Sequence, residues 1–286
     1  MPGRPVSRIR LAVCDLDGTL RHRQNGVGGH DIITLRKLGE QAVCRVIATG
    51  RNLLSARRIL PPDFPIDYLV FSSGTGIMRW KTQEIIFAAA IKNRLTRQAV
   101  EVFQNEKIDF MAHRPIPENH CFRAHLTGHP HPDFLKRCEI YCDYAEYVQY
   151  ASKDTGAVSQ FVAVCSNGDG IFDRIKKQLP GLSVVRTTSP LDGFSLWIEV
   201  FAAHVSKGQS LQRLAATQKI TPEEIICLGN DYNDHDMLQY AKHSFVTPDA
   251  PETLRREFQV IAGEENPLTA ACASLGILPD AKAGNY

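Results

Sequence analysis

The chain has 286 residues, 43% hydrophobic and 22% charged, and its 33 basic and 31 acidic residues leave a formal net charge of +2. This composition excludes disordered, collagenous and mucin-like chains, and the length suggests two domains at roughly 100–200 residues each. Near-balanced charge argues against nucleic acid as the main partner, and no apolar run approaches the ~18 residues needed to cross a bilayer.

The opening MPGRPVSRIR lacks the apolar core of a secretory signal. The first predicted strand, Leu11 to Cys14, runs straight into Asp15-Leu-Asp17-Gly-Thr19. Two carboxylates two residues apart behind a buried strand are costly unless a cation or substrate uses them. Asp31 to Gly39 reads as a helix with a glycine stop, and the strand Val46 to Ala48 ends in Thr49-Gly50-Arg51. Thr49 can donate a hydroxyl hydrogen bond at the strand end, and Gly50 permits close approach of a ligand. Arg51 is read either as facing a substrate or as paired with a carboxylate of its own domain. A third strand, Leu69 to Phe71, leads to Ser72-Ser-Gly-Thr-Gly76, read as a hinge or turn rather than a substrate contact.

The middle of the chain carries its own patterns: helices at Leu95 to Phe103 and Ile171 to Leu179, strands at Phe161 to Val164 and Leu182 to Val185. Residues 111–131 hold His113, His120, His125, His129 and His131 with Arg114 and Arg123 against one acid, Glu118. Three readings stand: a polar surface loop, a lid lending positive potential to a phosphorylated, hydroxyl-rich ligand, and a second metal site. Against the last, His125 and His129 enclose a Thr-Gly pair, and a proline interrupts His129 and His131. Asn167 to Gly170 reads as a turn before a helix, without dinucleotide-loop spacing. The polar stretch Thr187 to Pro190 and the turn at Gly193 mark the expected return to the first domain.

Ser206 can cap a helix through Leu211 and Leu214. Lys207 in its first turn opposes the helix dipole, and is read either as a solvated surface lysine or as a point charge that binds an anion such as phosphate. Thr221 and Glu224 form a capping-box pair before the strand Ile225 to Leu228, which ends in Gly229-Asn230-Asp231-Tyr232-Asn233-Asp234. Asp236 reads as a helix-start carboxylate, and Phe245-Val246 as a weaker strand. The eight cysteines show no CxxC spacing, so a reduced, cytoplasmic protein is expected.

Short strands apolar on both faces, alternating with helices, indicate an α/β fold with a parallel sheet, which binds ligands at the carboxyl ends of its strands. Asp15 to Thr49 spans 34 residues and Lys207 to Asn230 spans 23, each one helix and its connections. Arg51 to Lys207 spans 156, far more than the sheet needs, so a second α/β domain is inserted there. The expected division is a Rossmann-like catalytic core at 1–82 and 191–286 and a cap at 83–190.

Asp15-Leu-Asp17-Gly-Thr19, Thr49-Gly-Arg51, Lys207-Gly208 and Gly229-Asn-Asp-Tyr-Asn233-Asp234, in that order and spacing, resemble the haloacid dehalogenase (HAD) superfamily. More narrowly, they resemble its Cof-type sugar-phosphatase branch with a C2-type cap. The resemblance implies a Mg²⁺-dependent phosphatase of a small phosphorylated metabolite, a sugar phosphate, acting through an aspartyl-phosphate. Asp15 is then the nucleophile and Asp17 the general acid and base. Thr49, Gly50, Lys207 and Asn233 hold phosphate, and Asp15, Asp17 through its carbonyl, Asn230 and Asp234 hold Mg²⁺. Relatives usually place aspartate directly after the glycine. Asn230 stands there instead, and Asp231 could supply the missing charge by a small shift. Two alternatives remain: a phosphoryl transferase such as a phosphomutase, and a phospho-ligand-binding module without turnover. A monomer or homodimer is expected, with no membrane or nucleic-acid partner.

Overall fold

Leu11 to Cys14 and Ile225 to Leu228 are each at most 1% exposed, so both faces of these strands are covered and neither has room for a polar alternation. Such strands belong at the centre of a parallel sheet, and in the computed structural model they lie side by side. Leu11 pairs with Ile225, and the register continues to Cys14 and Leu228. The structure describes residues 8–22, 26–92, 94–149, 156–166, 168, 170–189, 191–261 and 265–277. Asn167 and Asp169 of the expected turn, Pro190 and most of the opening decapeptide lie outside them. The chain divides into two units, Met1–Gly50 with Leu60–Ile86 and Lys207–Tyr286, and Arg51–Ile59 with Phe87–Ser206.

The sheet of the first unit has eight strands among the described residues. Their order is Gln259–Val260, His243–Val246, Ile225–Gly229, Leu11–Asp15, Cys44–Ala48, Tyr68–Phe71, Gly76–Arg79 and Glu84–Ala88. The pairs from Gln259–Val260 through Tyr68–Phe71 are parallel, and Gly76–Arg79 turns back antiparallel. Helix Gly29–Glu40 buries Thr34, Leu35 and Leu38, and helix Lys207–Gln218 buries Leu211, Leu214 and Ala215. The Thr221–Glu224 capping box is present, but it closes a single 3₁₀ turn, Pro222–Glu224, that enters the strand at once.

The second unit is built on a six-stranded sheet, ordered Ala145–Tyr147, Phe122–His125, Asp109–His113, Gln160–Cys165, Leu196–Ala202 and Leu182–Thr188. Period-two alternation splits its side chains between two cores. On one face Phe110, Ala112, Phe161, Ile198 and Val200 pack with Val100 and Phe103 of helix Arg94–Asn105 and Ile175 of helix Ile171–Gln178. On the other, Met111, Phe122, Val162 and Trp197 pack with Phe134 and Cys138 of helix Pro132–Ile140. Arg137 of that helix lies over the Trp197 ring, 4.7 Å from its centroid, and 5.2 Å from that of Tyr141.

Two boundaries differ from expectation. Gly193, φ +82, does not lead out of the unit. It lies in the hairpin turn that returns Leu182–Thr188 as Leu196–Ala202, where Phe201 partners Ser183 and Val200 partners Val184. The unit therefore runs to Ser206 rather than to 190. Arg51–Ile59 also groups with it, and Asn52 Nδ2 donates to Tyr141 Oη at 3.4 Å.

The five histidines occupy separate environments, and among the described residues no three metal-ligating side chains gather. His125 stacks on Phe110 at 5.0 Å, His120 meets Tyr144 edge-on at 4.8 Å, and His131 caps helix Pro132–Ile140 by accepting from the Asp133 N–H. His129 is exposed. His113 is 1% exposed, with Nδ1 2.8 Å from the Asn119 carbonyl and Nε2 buried without a partner. The bond to a carbonyl fixes the proton on Nδ1.

Burial and the nearby Arg137 push the His113 imidazole down to about 3. A depressed histidine contributes stability that is complete above its unfolded value near 6.5 and is lost as pH falls toward the folded one. Urea melts at pH 7 and pH 4.5 are expected to differ by about 2 to 3 kcal/mol through this residue alone. His113→Gln, which keeps a donor for the Asn119 carbonyl but does not titrate, removes that difference.

Candidate active site

Asp15 is the last residue of its strand and 5% exposed. The chain turns sharply after it: Gly18 has φ +81, which glycine adopts without strain, and its N–H donates to the Arg21 carbonyl at 3.0 Å. A Cβ at Gly18 would collide with the Asn230 side chain, so this glycine is also what lets the two strand-end loops meet. The half-buried Asp17 carboxylate accepts from Arg21 Nη1 at 3.1 Å.

Lys207 begins the helix Lys207–Gln218 and is 1% exposed. Its Nζ donates to Asp15 Oδ1 and to Asp234 Oδ1, both at 2.6 Å, and reaches Asn233 Oδ1 at 3.4 Å. Burial alone would favour the neutral amine. The two carboxylates outweigh it and hold the ammonium well above its ordinary range. The cost of a lysine in the first helical turn is thus met by carboxylates as well as by any phosphate.

Asp234, expected among the cation ligands, has both oxygens committed elsewhere. Oδ1 binds Lys207, while Oδ2 accepts the N–H of Asn230 at 2.8 Å and of Asp231 at 3.0 Å. It positions the lysine and the loop. Asp231 turns to its own loop: its Oδ1 accepts the Tyr232 N–H at 2.8 Å and caps the turn Tyr232–Asp234. Asp236 does more than begin a helix. Its Oδ1 accepts the Gly208 N–H at 3.1 Å, and a Cβ at Gly208 would strike the same carboxylate. No pattern of spacing signalled this cap from another element.

Thr49 is 1% exposed; its N–H donates to Val70 O at 2.8 Å, and its carbonyl accepts from the Ser73 N–H at 3.0 Å. The point where Gly50 would carry a Cβ is 3.5 Å from Ser73 Oγ and 3.7 Å from Asn233 Nδ2. A hydroxyl and an amide therefore converge on a bare backbone, a pocket suited to an anion. Ser72 and Ser73 are buried with φ of +48° and +51°, the left-handed region that non-glycine residues rarely occupy. The segment read as a hinge is a strained turn that delivers Ser73 to Gly50. Arg51 Nη1 donates to Ser55 Oγ at 2.7 Å, and Asn52 caps helix Leu53–Arg57 through the Ser55 N–H.

Among the described residues Lys207 is the cation that touches both Asp15 and Asp234, so the buried charges balance only while one of the two carboxyls is protonated. Burial pushes the Asp15 carboxyl up to about 8, with Lys207 pulling it down and Asp234 pushing it up. Asp15 Oδ2 and the Asp17 main-chain oxygen lie 3.3 and 3.2 Å from one end of the Asn230 amide. One carboxyl oxygen, one carbonyl oxygen and one amide fit a small hard divalent cation that keeps several waters, as Mg²⁺ does, and such a cation would favour the ionised form of Asp15.

The family of haloacid dehalogenase-like hydrolases matches residues 12–267. The chain is 24% identical over 253 residues to an HMP-PP phosphatase of Klebsiella pneumoniae, covering 87% of each protein, and 24% identical over 250 residues to one of Citrobacter koseri, again covering 87% of each. Its fold resembles that of a haloalkanoate-superfamily phosphatase from Bacteroides thetaiotaomicron, with TM-score 0.77, 20% identity and coverage of 97% of this chain and 99% of that one. It also resembles a HAD subclass IIB sugar phosphatase, with TM-score 0.73, 19% identity and coverage of 94% and 100%.

The charge imbalance has a direct consequence for stability. Lys207→Met leaves two buried carboxylates facing each other and is expected to cost about 3–5 kcal/mol in metal-free buffer. Asp15→Asn removes at constant shape a carboxyl whose ionisation burial opposes, so its urea midpoint stays level with wild type or rises.

Proposed function

The chain belongs to the haloacid dehalogenase-like hydrolases, and we propose that it is a Mg²⁺-dependent phosphatase of a small phosphorylated metabolite, a sugar phosphate by class. The observation that carries this reading is the buried Lys207 held between Asp15 and Asp234, beside the hydroxyl and amide that meet at Gly50. Relatives named phosphatases support it. The eight free cysteines support a reducing compartment, the cytoplasm.

In this mechanism Asp15 attacks phosphorus as the bond to the leaving oxygen breaks, and Asp17 gives that oxygen its proton. An aspartyl-phosphate results. Asp17 then takes a proton from water, the water oxygen attacks the same phosphorus, and the P–O bond to Asp15 breaks, releasing phosphate. Lys207 neutralises a phosphoryl group that two carboxylates would otherwise repel, and its bond to Asp15 Oδ1 orients the nucleophile. The Thr49 and Ser73 hydroxyls and the Asn233 amide donate to phosphoryl oxygens, with Gly50 giving them room. Asp234 holds Lys207, and Arg21 holds Asp17 in place. Asp15, the Asp17 carbonyl and Asn230 would hold Mg²⁺, which supplies charge stabilisation at the phosphoryl oxygens when bound.

Phosphate release from p-nitrophenyl phosphate, with and without Mg²⁺, tests the reading. Asp15→Asn is expected to lower kcat by roughly 10⁴-fold or more, and Asp17→Asn by about 10²–10⁴-fold. A variant Asp15→Asn with wild-type turnover would overturn the mechanism. A screen of phosphorylated sugars then identifies the substrate.

A further inference from the structure

We infer that Ser210 is a positioning residue for the phosphate pocket: its hydroxyl, donated to the Gly74 carbonyl, holds the left-handed turn Ser72–Gly74 that brings Ser73 to Gly50. The inference rests on the reading of Gly50, Ser73 and Lys207 as phosphate-binding groups. It goes beyond that reading by making one face of the lysine's helix responsible for two parts of the pocket.

The turn is one that a chain does not adopt unaided. Ser72, Ser73 and Gly74 have φ of +48°, +51° and +100° in succession, and only the last is a glycine. Residues with a Cβ enter the left-handed region at a cost, and two in a row persist only where their surroundings over-determine them. The Thr75 N–H donates to the Ser72 carbonyl at 3.0 Å and closes the turn, while the Ser73 N–H donates to the Thr49 carbonyl at 3.0 Å and ties it to the strand end. Both are main-chain bonds, open to any sequence. The bond from Ser210 Oγ to the Gly74 carbonyl, 3.2 Å long and buried, is different in kind, because it needs a hydroxyl at one position of another element.

That position matters. Lys207 and Ser210 stand three residues apart in the helix Lys207–Gln218, so they share a face, and they are 1% and 2% exposed. A serine inside a helix commonly bonds a carbonyl of its own preceding turn. Ser210 gives its hydroxyl to a carbonyl 136 residues earlier in the chain. From the same face Lys207 Nζ reaches Asp15 Oδ1 at 2.6 Å. One rigid helix thus sets the lysine and the Ser73 turn in a common frame. Glycine at 73 would take φ of +51° freely, but it would bring no hydroxyl to the point 3.5 Å away where Gly50 lacks its Cβ.

The test uses the full chain with Mg²⁺, p-nitrophenyl phosphate as substrate and inorganic phosphate as inhibitor. Ser73→Gly is expected to melt no lower than wild type, yet to raise KM and the phosphate Ki about tenfold with kcat changed less than about threefold. Ser210→Ala is expected to raise KM and Ki by a similar factor, and to change them less than about twofold when added to Ser73→Gly, because the hydroxyl it positions is already gone. A merely structural role would lower the active fraction, and with it kcat, while leaving KM and Ki alone. Should Ser210→Ala not fold, Ser210→Cys, which fills the same space with a weaker donor, takes its place in the same cycle. Wild-type KM and Ki in the position-210 variant, or an equal weakening with and without Ser73→Gly, overturns the inference and leaves the phosphatase reading standing. If the wild-type chain neither hydrolyses the ester nor binds phosphate, both fall.

Discussion

The ammonium of Lys207 is the contact on which the site depends. Asp15 ends one central strand, and Asp234 follows the end of its parallel neighbour, with Cys14 and Leu228 level in the register. Parallel pairing thus brings two carboxylates together in a nearly dry place, where they would repel unless a cation stood between them. Lys207 does so with two bonds of 2.6 Å. Everything around it serves to keep it there. Asp234 uses its second oxygen to gather the N–H groups of Asn230 and Asp231, which folds the loop around the carboxylate. Gly229 permits the close return, since a Cβ there would meet Asp234. Asp236 fixes the start of the lysine's helix through Gly208. A lysine that opposes its own helix dipole is stable here because the sheet presents it with two anions.

The same physics explains what the sequence disclosed. Strands covered on both faces must be apolar throughout, so LAVC and IICL stood out, and the polar residues that ended them marked one edge of the sheet. The inserted unit hid better. Its strands Asp109–His113 and Leu196–Ala202 bury Asp109, His113 and Glu199, and polar letters inside a strand weaken the signal that defines it. Asp109 accepts from residues far along the chain: Thr127 N–H and hydroxyl at 2.7 and 2.9 Å, and His131 N–H at 2.7 Å. Missing Leu196–Ala202 misplaced the boundary, because a hairpin turn and a domain exit share the same Gly-containing polar stretch. Likewise, the spacing of Asp234 and Asp236 showed carboxylates near the site, but not which backbone N–H groups would claim them. Ser73 gave no signal, since its place depends on a left-handed turn that serine does not advertise.

The net charge of +2 says nothing of this, because the balance that matters is local. With both carboxyls ionised the buried triad carries one negative charge, and Arg21 binds the half-buried Asp17 beside it. Catalysis by an anionic nucleophile needs that negative charge, while folding without a metal is opposed by it. An aspartate at 230 would add a further anion beside Asp15, whose carboxyl burial already pushes up to about 8. The departure at 230 thus lowers the charge offered to a metal, and in exchange sets no third carboxylate against the buried pair.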